Sequence, residues 1–338
     1  MFRYSLWQPQ GIDCMGKLIS EKYKAWEQEC EKRFNQLKSN EEELNRIFID
    51  IYGMSAELTP AIKDKDVTVC KANAAREIKS LLSYAVGCMF GRYTPEKAGL
   101  CFAGGDFYAY FSARSYRSNK TRYYLKTLLS SQNAHESSQM DCHFGVNSDN
   151  IIPIADDDYF DEDIVTRLVE FVQIIYGADT LEANLDYIAE NLGGKGTSRD
   201  IIRTYFLNDF YTDHIKIYQK RPVYWLFSSG KKNGFKGLMY VHRYTPDTLV
   251  QLGTYIKYLQ NRYKQAMTNL KGRMTRTLGD DNTSLENQLT KIREQSEELL
   301  MYAGKIQDLA EQKIFIDLDD GIKLNYMKLA DVLEDVSF

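Results

Sequence analysis

The sequence predicts an α+β fold: a helical connector, a mixed α/β region carrying a basic β-hairpin, and a C-terminal helical hairpin. Three observations carry this. Residues 221–244, RPVYWLFSSGKKNGFKGLMYVHRY, hold two runs of β-branched, aromatic and aliphatic residues around Ser, Gly and Asn, the pattern of two strands and a turn. Over most of the remaining chain, apolar residues recur every three or four positions, the period of an amphipathic helix. Glycines or a Thr-Pro pair close most of these periodic stretches, as helix stops do.

The elements follow in order. Residues 16–38 place Ile19, Tyr23, Trp26, Cys30, Phe34 and Leu37 at helical spacing. Ser39, with Glu42 three residues on, reads as a capping box that starts a second helix. That helix carries Leu44, Ile47, Phe48 and Ile51 and ends at Gly53, and Thr59-Pro60 breaks the chain. Val67–Val69 is assigned a short strand, 71–92 a helix, and Phe107–Phe111 a second short strand. The rest of 106–150 has no clear period. Ile151–Ile154 is a short strand. Helices are predicted over 161–176, stopped by Gly177, over 180–192, stopped by Gly193-Gly194, and from Thr197 or Ser198 to about Tyr211. The main hairpin then pairs Val223–Phe227 with Phe235–Val241 across Ser228–Gly234, where Asn233-Gly234 is a strong local turn signal. Two long helices, 247–278 and 283–312, form an antiparallel pair. Ile314–Leu318 and Ile322–Tyr326, on either side of Asp319-Asp320-Gly321, are assigned a small terminal β-hairpin. The 338 residues divide on this reading into a connector (1–60), a mixed α/β region (61–246) and a C-terminal region (247–338).

Charge is segregated along the chain. The total is −4, yet between His214 and Gly279 the sole acid is Asp247 against thirteen Lys and Arg. A second acid-free run, Phe107 to His135, contains Arg114, Arg117, Lys120, Arg122 and Lys126 among several tyrosines. Basic patches of this kind are the electrostatic footprint of polyanion binding. A basic β-ribbon with aromatic flanks suits a nucleic-acid groove; the same residues equally suit a solvated surface hairpin with lysines at its tip. The candidate DNA contacts are Arg114, Arg117, Lys120, Arg122, Lys126, Lys220, Arg221, Lys231, Lys232, Asn233, Lys236 and Arg243.

No motif builds an active site. Gly193–Ser198 fails as a phosphate loop because Ala189 stands where the first glycine belongs and Gly196 where Ser or Thr belongs. Asp317–Gly321 lacks the spacing of a calcium loop. Asp156–Asp158, Asp161, Glu162 and Asp163 are read as acids favouring a helix N-terminus rather than as a cation site. Phe102–Asp106 is loosely similar to a cofactor loop of S-adenosylmethionine enzymes, but the six prolines include no adjacent pair, so an adenine methyltransferase Pro-Pro-Tyr loop is absent. The chain alone is therefore expected to be non-catalytic, with no metal and no cofactor of its own. Six cysteines without paired spacing are read as free thiols of a reducing compartment. With no signal-like leader and no membrane-length apolar run, the expected location is cytoplasmic, with no membrane partner.

Several runs resemble the C-terminal half of the PglX family, the adenine-specific DNA methyltransferases of bacterial phage-exclusion (BREX) systems. They are KSNEEELNRIFIDIYG (38–53), SLLSYAVGCMFGRY (80–93), IIPIADDDYFDEDIVTRLVEFVQIIYG (151–177), YFLNDFYTDHIKIYQKRPVYWLFSSGKKNGFKGLMYVHRY (205–244) and DLDDGIKLNY (317–326). The first of these is shared more loosely with other fused restriction–modification methylases. The resemblance implies a target-recognition half that holds double-stranded DNA. It also implies a separate N-terminal methyltransferase domain, where S-adenosylmethionine would bind, and other phage-exclusion components as partners. The rival reading is a protein-interaction module, motivated by the long helical pair.

Overall fold

A computed structural model of the chain describes residues 18–116, 120–126, 143–276 and 281–338. The described residues form an α+β structure organised around one three-stranded antiparallel sheet. Its strands are β4 (Ile152–Ile154), β5 (Tyr224–Ser228) and β6 (Lys236–Tyr240), in the order β4-β6-β5. Ile152, Leu238 and Leu226 form one row across it.

Successive residues of a strand point to opposite faces, and here both faces are covered. Tyr224, Leu226, Leu238, Tyr240, Ile152 and Ile154 enter one hydrophobic core. Trp225, Phe227, Met239 and Phe235 enter the other. That is why the hairpin sequence is a nearly unbroken apolar run rather than an apolar/polar alternation. The expected strand pair is thus present within one residue of the expected limits, but it lies between two helical layers, neither a free ribbon nor a solvated surface hairpin.

The first layer contains α2 (Ala74–Met89), α4 (Ile164–Tyr176), α5 (Leu181–Leu192), α6 (Ser198–Asn208) and α7 (Phe210–Ile217). Local chemistry sets their starts. The Asn73 side chain accepts from Arg76 N–H, Asp163 accepts from Thr166 N–H, and Thr197 with Asp200 forms a reciprocal capping box. Gly87 lets α2 approach its neighbours: a Cβ there would stand 2.4 Å from the Tyr93 ring and 3.0 Å from the Tyr224 hydroxyl. The helix predicted to reach Tyr211 instead breaks at Asp209, so that Phe210, Tyr211 and His214 turn into the core.

The second layer is α8 (Thr248–Met274) packed along α9 (Asp281–Glu311), the predicted helical pair. A second small sheet, β1 (Phe111–Tyr116), β2 (Lys120–Leu125) and β3 (Val146–Asn147), joins the edge of the first core.

Four local expectations are corrected. One helix, α1 (Ile19–Ile51), runs through Ser39; the Glu42 carboxylate accepts from Ile62 N–H instead of closing a capping box. Val67 is buried outside any strand. Phe107–Tyr110 is a short helical turn, α3, capped by Asp106, and the strand begins only at Phe111. The terminal β-hairpin is absent: a 3-10 turn (Leu318–Asp320) leads into a short helix, α10 (Ile322–Met327). Ile322 and Tyr326 fit an i, i+4 spacing as well as strand alternation, and packing in the second core selects the helix.

Candidate nucleic-acid interface

The tip of the β5–β6 hairpin is docked on α9. The Glu298 carboxylate accepts from the Ser229 hydroxyl (2.7 Å), Lys232 N–H (2.8 Å) and Gly234 N–H (2.9 Å). Tyr263 donates its hydroxyl to the Gly234 carbonyl at 2.9 Å. Contact is close enough that a Cβ on Gly234 would sit 2.6 Å from the Gln295 main-chain oxygen. Asn233 takes a positive φ of 56°, a conformation that Asn tolerates better than most residues, and its carbonyl accepts from Gln295. The aromatic residues that would have flanked a groove-binding ribbon are core.

The candidate basic residues separate into three groups. The first is internal. Arg122 is 3% exposed and ion-paired with Glu162 at 2.7 Å. Arg243 turns inward, donating to the Asn147 carbonyl at 3.1 Å and lying over the Phe107 ring at 4.1 Å; burial pulls its guanidinium down to about 10. Lys236 donates to the Leu207 carbonyl at 3.0 Å. The second group is surface but engaged: Lys232 pairs with Glu294 at 2.7 Å. The third is exposed: Arg114, Lys126, Lys220, Arg221 and Lys231. Arg117 and the side chain of Lys120 lie outside the described residues.

These exposed groups are not gathered at one point. Lys220 and Arg221 precede β5, while Lys231 lies beyond its far end. A five-residue strand separates them by about 17 Å at ~3.3 Å per residue. The acidic stretch is likewise drawn into the fold: Arg203 pairs with Asp158 and Asp163, and Lys291 with Asp156. Among the described residues no group of three or more His, Cys, Asp or Glu side chains could hold a metal.

A more continuous basic surface lies on α8. From Thr248 to Met274 that helix has no acid. Lys257, Lys264 and Lys271 recur every seven residues, two helical turns, and all three are exposed. At ~1.5 Å rise per residue they form a line about 21 Å long. Among the described residues no carboxylate forms an ion pair with any of the three. Their charge is visible in the sequence, but the heptad spacing becomes informative only once the apolar positions Leu249, Leu252, Ile256, Leu259 and Tyr263 fix which side of α8 is buried.

At the head of α8 a cleft of about 230 Å³ is lined by Phe107, Tyr108, Asp149, Arg243, Thr245 and Gln251, among others. Asp149 accepts from the Tyr255 hydroxyl at 2.7 Å, and burial raises its carboxyl above the usual range. His242, also at this cleft, has a buried Nδ1 without a hydrogen-bond partner, and burial lowers it to about 4.

The Gly104-Gly105 turn does not fit an S-adenosylmethionine loop. Among the described residues both sheets are antiparallel, whereas nucleotide-type cofactor loops follow a parallel strand and open a helix. No helix is long and apolar enough to cross a membrane.

No family model matches the chain. Two curated proteins are similar to it over nearly its whole length. The adenine-specific methyltransferase PglX of Lacticaseibacillus casei (strain Zhang) is 40% identical over 320 residues, covering 92% of this chain and 24% of the relative. The adenine-specific methyltransferase BrxX of Escherichia coli O9:H4 (strain HS) is 32% identical over 329 residues, covering 90% of this chain and 26% of the relative. The chain thus spans about a quarter of the length of the curated relatives it matches.

Proposed function

Because this chain is homologous to the adenine-specific methyltransferases PglX and BrxX, we propose that it is the C-terminal, DNA-holding portion of such an enzyme. In this reading it does not transfer the methyl group. S-adenosylmethionine and the reacting adenine belong to the part of the relatives' length that the chain does not span, within a phage-defence system of the BREX type. The observation that carries the reading is the α8 line of Lys257, Lys264 and Lys271: cations on a rigid element, open to solvent, with no ion-pair partner among the described residues and no acid on their helix. Lysines so placed neutralise backbone phosphates and release counterions, giving affinity without sequence choice. Arg114, Lys126, Lys220, Arg221 and Lys231 are secondary contacts. Arg122 and Arg243, by their internal bonds, hold the fold beneath the surface.

Duplex binding measured by anisotropy across a salt series tests this. Replacing all three α8 lysines by Ala should lower the slope of log affinity against log salt by about 3, roughly one per phosphate contact. Absence of duplex binding at low salt by folded protein, or an unchanged slope in the triple variant, would overturn it.

A second reading rests on α1. Leu44, Ile47, Phe48, Ile51 and Tyr52 are exposed at helical spacing on its C-terminal half, which suits docking to another protein surface. If that is the chain's main role, capture of a partner protein will survive high salt and be lost in Phe48→Asp, while duplex DNA is not bound.

A further inference from the structure

We infer that the cleft at the head of α8 is a receptor for a single unstacked nucleobase, with Tyr108 as its stacking platform. The inference deepens the DNA-holding reading and rests partly on it. Three observations converge. Tyr108 is 61% exposed and Tyr110 48% exposed, large rings left in water beside a cleft. Tyr108 is nonetheless fixed: its N–H is capped by Asp106, and its ring lies 5.7 Å from both Phe107 and Tyr123. A positioned, exposed ring is what base stacking needs.

The cleft also holds both kinds of hydrogen-bonding group. Asp149 is oriented by Tyr255 and Ile151 N–H, and its carboxylate accepts. Thr245, Thr248 and Gln251 offer donors. Arg243 is charged and half-buried in the cleft wall, its guanidinium engaged by the Phe90, Asn147 and Ser148 carbonyls and without an ion-paired carboxylate among the described residues. A base edge, with mixed donors and acceptors, matches this lining. A phosphate does not, because Asp106 and Asp149 line the same cleft and Asp247 stands beside it, so acids outnumber Arg243.

Size narrows the ligand further. At about 230 Å³ the cleft is below the ~300 Å³ at which drug-sized ligands are accommodated. One heterocycle fits that scale; a complete nucleotide cofactor does not. The base can come from DNA or from a free nucleoside. The lysine line on the same helix, whose first member Lys257 comes six residues after Gln251 of the cleft, favours DNA.

The probe is 2-aminopurine, whose fluorescence is quenched by stacking, used in two arms: a duplex with one unpaired 2-aminopurine against its fully paired counterpart, and free 2-aminopurine riboside. The expected result is quenching in the unpaired duplex. Tyr108→Ala should abolish it and weaken that duplex about tenfold, leaving paired-duplex affinity unchanged. Tyr108→Phe, which keeps the ring, should retain the quench. Equal affinity for both duplexes, with no effect of Tyr108→Ala, overturns the inference and leaves DNA holding intact. If no duplex binds, the DNA reading falls and the riboside arm decides alone: quenching that depends on Tyr108 supports the cleft, and its absence overturns it. Because Tyr108 is exposed, its variants should melt with the parent protein.

Discussion

Glu298→Ala should release the hairpin tip. One carboxylate receives the Ser229 hydroxyl and the Lys232 and Gly234 amides at 2.7–2.9 Å. Hydrogen bonds to a charged group contribute about 1.5–3 kcal/mol each when shielded, and about 1 kcal/mol when water can replace them. Glu298 is half-buried and Lys232 is exposed, whereas Gly234 is buried, so the lower figure applies to most of the set. The sum is about 3 kcal/mol. Glu298→Gln keeps the acceptor shared by Ser229 and Gly234 but turns an amide N–H toward Lys232 N–H, so it should cost only ~1 kcal/mol. Urea unfolding at matched m-values reads both numbers. Hydrogen exchange at the Lys232 and Gly234 amides reports whether the loss is local. A cost below about 0.5 kcal/mol for Glu298→Ala, with tip amides as protected as before, would show that the carboxylate does not hold the hairpin on α9.

Other outcomes follow from the same geometry. His214 is buried with its Nε2 accepting from Tyr224 N–H, and burial lowers it to about 3. A folded value below the unfolded one of ~6.5 means its contribution is complete above pH 6.5 and is lost as pH falls toward 3. The loss at pH 5 should be about 2 kcal/mol in urea unfolding, and His214→Gln, which keeps an acceptor, should flatten that segment of the pH profile. Gly87→Ala adds about 1 kcal/mol of helix propensity but forces a methyl onto Tyr93 and Tyr224; overpacking costs about 1–3 kcal/mol, so thermal melts should show net destabilisation. Lys231→Ala should leave stability unchanged, since the tip is held by other groups, and a clear change in urea unfolding would contradict that placement.

The main hairpin was legible because two local signals agreed: apolar runs of strand length and an Asn-Gly turn. Its burial was legible too in principle, since Tyr224 to Phe227 does not alternate, but the lysines at its tip drew the reading toward a surface ribbon. Charge counted along a chain does not say which charges are consumed. Arg122 and Arg243 fell in basic runs, yet their partners, Glu162 and the Asn147 carbonyl, are distant in sequence. The helix start at Thr197 is legible because capping is local, and Asp163 is legible as an acid favouring a helix start; the Asn73 cap, two residues inside the expected start at 71, is not. The terminal segment failed because five residues satisfy period two and period 3.6 about equally, and only the second core decides. The α8 lysine line needed the buried face of the helix to be known before its spacing acquired meaning.

The hairpin's strands serve two cores at once, with Leu226 and Trp225 as neighbours facing opposite ways. Cleaving the polypeptide near residue 246 would therefore not release two independent parts. The N-terminal piece would carry Trp225, Phe227 and Met239 into water as a bare greasy sheet face, prone to clumping, and α8 with α9 would have nothing to lean on. Deletion series aimed at this protein should keep the boundary outside both layers, and the two pieces, mixed, should regain solubility that neither has alone.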